Sequence, residues 1–150
     1  MDDVDGCFAC DLSHGRLHPP GGRIHATDQW IVEHCAGPLG VGTLIVKPRR
    51  HVVHVADLDA AEARELGPLL QRATAVVTEL AHPDQVYVCL WSHGPVHIHF
   101  VVQPVTTAVM EELGAHGPKL QVAMFAAGVM PDEEEAAAFA QAARELFERP

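Results

Sequence analysis

The stretch that most constrains this chain is Val96-His97-Ile98-His99-Phe100-Val101-Val102, where imidazoles alternate with apolar side chains. Alternation of this kind is the period of a β-strand, whose successive side chains point to opposite faces of the sheet. His97 and His99 therefore share one face with Cβ atoms about 7 Å apart, while Val96, Ile98 and Phe100 share the other. A lone histidine on a strand is ordinarily structural. A same-face pair backed by an apolar face describes a sheet with one side given to packing and one side able to carry chemistry.

The rest of the chain supplies a framework for that strand. Residues 1–22 lack periodicity and end in Pro19-Pro20-Gly21-Gly22, which cannot continue a helix. Two β-like runs follow, Arg23 to Glu33 around Trp30-Ile31-Val32, and Thr43-Leu44-Ile45-Val46-Lys47-Pro48. Gly37, Gly40 and Gly42 between them are not followed by a helix, so they read as a strand connection rather than a phosphate loop. Residues 57–81 read as a helix capped by Asp57 or Asp59, with Leu66, Leu69, Leu70, Ala73, Val76, Val77 and Leu80 at helical spacing. Gly67-Pro68 predicts a kink or a restart within it. Two further runs, Val86 to Trp91 and Val96 to Val102, flank Ser92-His93-Gly94-Pro95 and read as a hairpin with a tight connection. A short segment around Met110-Leu113 precedes a final amphipathic helix, which opens with Pro131-Asp132-Glu133-Glu134-Glu135, where the helix dipole favours acids. The order predicts an α+β fold with a mainly antiparallel sheet over 1–150: an N-terminal segment (1–22), a core (23–104) and a C-terminal extension (105–150).

Charge narrows the function classes. The formal charge is −10, concentrated in the first eleven residues and beyond Asp132, which leaves the middle of the chain nearly neutral. That balance argues against a duplex-DNA binder, whose affinity comes from neutralising phosphates, but not against a small phosphorylated ligand met by a few local donors. The acidic N-terminus and the lack of a long apolar run predict a cytoplasmic protein with no membrane partner.

An H-x-H pair on a strand has two chemical uses. It can chelate a metal with further His or carboxylate ligands. Alternatively, one imidazole can attack phosphorus if its far nitrogen is held protonated and its near lone pair is free. Pro95-Val96-His97-Ile98-His99-Phe100-Val101 resembles the signature of the histidine triad (HIT) superfamily, His-φ-His-φ-His-φ-φ with φ apolar. Gly42 to His51 resembles the strand of that family ending in Pro-Lys-x-His, and the likeness extends over about residues 7–104. The resemblance implies a five-stranded antiparallel sheet with a long helix and a C-terminal helix, paired in a homodimer. It also implies hydrolysis or transfer at the α-phosphate of dinucleoside polyphosphates or nucleoside phosphoramidates. On that alignment His97 is the nucleophile and His99 touches the transferred phosphate. Ile24 is implied at the base, and Glu33 or His34 at the ribose. Trp30 reads as core. The chain departs from the pattern at Pro95, which can neither ligate nor donate, and in its short preceding loop, where Ser92 and His93 stand as candidate phosphate contacts.

Cys7-Phe8-Ala9-Cys10 is a C-x-x-C without the βαβ context of a redox motif. It reads as a metal knuckle or as two small buried residues. The HIT resemblance implies a structural zinc held by Cys7, Cys10, His51 and the first signature position, which is Pro95 here. Three ligands remain where a closed zinc site uses four; His93, His54 or a water would complete it. Cys35 and Cys89 read as buried thiols. Two rival readings stay open: a nucleotide-binding or regulatory protein without turnover, and a metalloenzyme ligated by His97 and His99.

Overall fold

The computed structural model describes residues 3–150. Its five strands are β1 (Arg23–Ala26), β2 (Trp30–His34), β3 (Leu44–Pro48), β4 (Gln85–Cys89) and β5 (Phe100–Val105). They form one antiparallel sheet in the order β1-β2-β3-β5-β4. Five helices accompany it: α1 (Phe8–Ser13), α2 (Ala60–Ala81), α3 (Thr107–Leu113), α4 (Pro118–Ala127) and α5 (Glu133–Glu148). The architecture is α+β, as the order of periodic segments predicts.

The run expected as one strand over 23–33 is a hairpin. Thr27 bends it: its Oγ1 accepts from the backbone N–H groups of Gln29 and Trp30 at 3.1 and 2.9 Å. Such side-chain capping of the backbone competes with extended structure. The β4–β5 connection also differs from expectation. It spans residues 90–99, not the four of a tight turn, because the chain around the histidines pairs elsewhere: Ile98 N–H donates to Val52 O at 2.8 Å. Helix α2 starts at a capping box in which Asp59 Oδ1 accepts from Glu62 N–H and Glu62 Oε2 accepts from Asp59 N–H, each at 2.8 Å. It runs through Pro68 without interruption. Helix α4 was not anticipated, since Val122 and Phe125 stay exposed while Gln121 is buried, inverting the usual polarity.

Strand parity divides the sheet into two faces. On one, Trp30, Val32, Leu44, Val46 and Val102 pack against Leu69, Ala73, Val76 and Val77 of α2 and against Ala140, Ala143 and Phe147 of α5. Trp30 is fully buried and its indole N–H donates to Glu62 O at 3.0 Å. Gly42, at φ +95°, lets the chain pass Phe139, whose ring lies 3.0 Å from where a Cβ would sit. The other face carries Glu33, Ile45, Lys47 and Val101. It is partly covered by Met124 of α4 and is open beside α1. Among the described residues no helix is long and apolar enough to cross a membrane.

Candidate active site and metal centre

Four side chains from three separate stretches meet beside the open face. Cys7 caps α1, and its Sγ accepts from Cys10 N–H at 3.5 Å, turning both thiols inward. His51 follows β3 in a segment anchored by Arg50, which forks onto the Glu62 carboxylate at 3.0 and 2.8 Å and donates to Asp57 O at 2.9 Å. His97 comes from the chain entering β5, held against the 51–53 segment by the Ile98–Val52 bond, with its ring edge-on to His51 at 5.0 Å.

The donor atoms of Cys7, Cys10, His51 and His97 all lie within 4.8 Å of one another. Cys10 Sγ is 3.4 Å from His51 Nδ1 and 3.6 Å from His97 Nδ1, and Cys7 Sγ is 3.9 Å from His97 Nδ1. Zinc held at ~2.3 Å by sulfur and ~2.0 Å by nitrogen in a tetrahedron spaces its ligand atoms ~3.3–3.8 Å apart, so the donor set fits that ion. The outer contacts fit as well. His97 Nε2 lies 2.8 Å from Pro48 O; a carbonyl only accepts, so Nε2 carries the proton and Nδ1 offers its lone pair to the cluster. Metal-bound histidines are oriented by such a bond. Burial pushes His97 down to about 4, keeping it a neutral ligand, and burial pushes the Cys10 thiol up to about 11. A divalent cation would reverse the second shift by stabilising the thiolate.

This geometry corrects the role read for His97. Its ring is buried, one nitrogen is bound to a carbonyl and the other faces two thiols, so no lone pair is left for an incoming phosphate. His97 is the fourth member of the cluster that the sequence left at three. His93 and His54 line a separate depression with Ser92 and Ile98. His99 lies outside the metal cluster, so the chelating His97–His99 pair is not formed.

One pleat further, His99 meets the conditions stated for a nucleophile. Its Nδ1 lies 3.1 Å from His97 O and must be the protonated nitrogen, while Nε2 has no partner among the described residues. The half-buried ring lines a cavity of about 480 Å³, within the ~300–1,000 Å³ typical of small-ligand sites. Val4, Phe8, Leu12 and Ile45 give the cavity apolar walls, and Glu33, Lys47 and His51 also line it. Lys47 is buried and donates to Glu33 Oε1 at 2.6 Å and to Ala9 O at 2.9 Å. Burial pushes its ammonium down and the Glu33 carboxylate pushes it back up.

Other expected contacts fall elsewhere. Ile24 is buried in the core on the helix-covered face and cannot reach a ligand here. Ser92 and His93 sit on the exposed part of the 90–99 connection, in a depression shared with Ile98 and away from the cavity. Glu33 does line the cavity, already paired with Lys47. His34 also borders the cavity, but its ring packs edge-on to Phe139 of α5 and both its nitrogens are engaged: Gly42 N–H donates to Nε2 at 2.9 Å and Nδ1–H donates to Cys35 O at 2.8 Å. Phe8, between the two cysteines, carries no signal of a ligand role in the sequence, yet its exposed ring forms part of the cavity wall. The fourth donor of the cluster had a signal. Sliding the signature by two residues, so that His97 stands first, completes the cysteine site and leaves Val101 in the last position.

No family model matches the sequence, and no curated protein does. Solved structures do match. A Hit-like protein involved in cell-cycle regulation from Bartonella henselae aligns over 97% of this chain and 99% of its own, with TM-score 0.72 and 16% identity. A zinc-bound histidine triad family protein from Mycobacterium smegmatis aligns over 95% and 96%, with TM-score 0.68 and 21% identity. A hypothetical histidine triad nucleotide-binding protein from Sulfolobus tokodaii aligns over 95% and 92%, with TM-score 0.71 and 15% identity. The chain has the histidine triad fold.

Proposed function

We propose that this chain binds a nucleotide in the cavity beside α1 and that His99 attacks its α-phosphate, with Cys7, Cys10, His51 and His97 holding a structural zinc. The observation that carries this reading is the His99 ring: Nδ1–H on the His97 carbonyl, Nε2 unclaimed, on the wall of a cavity of nucleotide size. In the reaction the Nε2 lone pair forms a bond to phosphorus as the bond to the leaving oxygen or nitrogen breaks. The resulting nucleotidyl–histidine is then cleaved by water. Positioning and electrostatics carry most of the rate in phosphoryl transfer, and the His97 carbonyl supplies the positioning by fixing ring and tautomer. Zinc, when bound, supplies cross-linking rather than activation of a substrate, because four protein ligands close its shell. It joins α1, the segment after β3 and the chain before His99.

A second reading, nucleotide binding with little turnover, is favoured by Val101. It is buried beside Cys35 and Leu39, where the displaced signature has its last histidine, and an isopropyl group cannot donate to a departing oxyanion. Incubation with a dinucleoside tetraphosphate separates the two. Wild type is expected to release a mononucleotide and trap a phosphorus–nitrogen adduct on acid-free quenching, and His99→Ala neither. Equal release by both would overturn the role of His99. Binding of nucleotide without release by either establishes the second reading. The homodimer belongs to the same proposal and is checked by sedimentation.

A further inference from the structure

Phosphoryl transfer needs positive charge or strong donors where the transferred group sits. The position implied for a phosphate-contacting histidine is Val101, and Ser92 and His93 lie away from the cavity. Among the described residues lining the cavity, Lys47 is the one lysine or arginine. Arg23 stands behind it, its guanidinium donating to Ser13 O at 2.9 Å.

Accepting the nucleotide reading above, we propose that Lys47 is the cationic contact for the ligand's phosphate, replacing the donor that Val101 cannot be. The β3–β5 register pairs Val46 with Phe100, and one step further along both chains are Lys47 and His99, which line the same cavity. An ammonium has three donors. Two are held, by Ala9 O and Glu33 Oε1, and the third has no partner among the described residues. The Glu33–Lys47 pair thereby fixes the lysine without exhausting it: a phosphate oxygen beside His99 can take the third N–H while both existing bonds persist. Ala9 O belongs to α1, so this lysine also reads the placement of the cavity wall. A buried ion pair is weak evidence for stability, since apolar replacements often do as well; a ligand contact gives it a use.

The test compares the affinity of each nucleoside monophosphate with that of its nucleoside by calorimetry, on wild type and on Glu33→Gln/Lys47→Met, which removes the pair without stranding a buried charge. Wild type is expected to prefer the monophosphate. The double variant is expected to lose about tenfold or more of that preference, as the loss of one hydrogen bond to a charged group implies; any loss of a Glu33 contact to the nucleoside moiety lowers both affinities and cancels in the ratio. A purely structural lysine would weaken both ligands alike. Should the double variant fail to fold, Glu33→Gln alone serves: it keeps the lysine and removes its counter-charge, so the monophosphate preference should rise, and an unchanged or smaller preference overturns the assignment. If the double variant retains the wild-type preference, Lys47 is not the contact and the nucleotide reading stands. If wild type binds neither ligand, that reading falls and Lys47 falls with it.

Discussion

The two faces of the sheet are built from the same strands and obey different chemistry. Against α2 and α5, alternate residues Trp30, Val32, Leu44, Val46 and Val102 make a dry core whose polar exceptions are individually bonded, Trp30 to Glu62 O and His34 to Gly42 N–H and Cys35 O. On the other face the intervening residues Glu33, Lys47, His97 and His99 are polar and buried or half-buried around a cavity. Hydrophobic burial holds the first face; specific pairs of charged or ligating groups hold the second. A sheet can therefore carry chemistry on one side because the other side supplies the stability.

The sharpest way to break that division is to remove one of the four cluster donors proposed to hold zinc. In Cys10→Ser, bound zinc should fall from about one per chain to under a tenth, since three donors close a structural zinc site poorly. Hydrogen exchange should quicken in α1 and around His51 while α2 keeps its protection. Loss of protection across α2 as well would show that the two faces are not separable. The converse is Trp30→Ala, expected to cost about 3–5 kcal/mol in denaturant unfolding while leaving metal stoichiometry unchanged.

The helix-covered face was legible because periodicity is a local signal: Leu69, Ala73, Val76 and Val77 announce the stripe of α2, and Trp30 and Leu44 the strands beneath it. The cavity face was legible only in part. Alternation placed His97 and His99 on one side, and C-x-x-C marked Cys7 and Cys10. What alternation does not contain is which imidazole takes which role: that came from the resemblance, whereas the structure sets His97 between the Pro48 carbonyl and the two thiols and leaves His99 Nε2 without a partner among the described residues. Glu33–Lys47 was invisible for a different reason. The two residues are neither sequence neighbours nor on one strand, so nothing local pairs the implied ribose contact Glu33 with Lys47. Ile24 came from the resemblance alone, and the register shift between Arg23 and His25 accompanies a side chain that the structure buries in the helix-covered core.

The Glu33–Lys47 pair offers a finer test of how the cavity face is held. Lys47→Met strands a buried carboxylate and should cost about 3–5 kcal/mol. Adding Glu33→Gln should recover most of that loss, and the urea midpoints of the single and double variants measure the recovery. If the double variant is no more stable than the single, the cost lies in the lysine stem or its bond to Ala9 O rather than in the uncompensated charge.

The smallest expected effect bears on the point where the faces join. Glu62 caps α2 through the backbone of Asp59 and also receives Arg50, whose segment carries His51. Asp59 accepts from Glu62 N–H and so reaches the cluster through Glu62 and Arg50. Asp59→Ala should therefore cost about 1 kcal/mol, the ordinary loss of an N-cap, with zinc affinity within about twofold of wild type. Glu62→Gln keeps the shape but weakens the bidentate Arg50 pair, and should loosen zinc more than its effect on α2 stability would predict. If instead the two variants lower zinc affinity in proportion to stability, the helix start and the metal site unfold as one unit, and the boundary between the faces lies beyond Arg50 rather than at it.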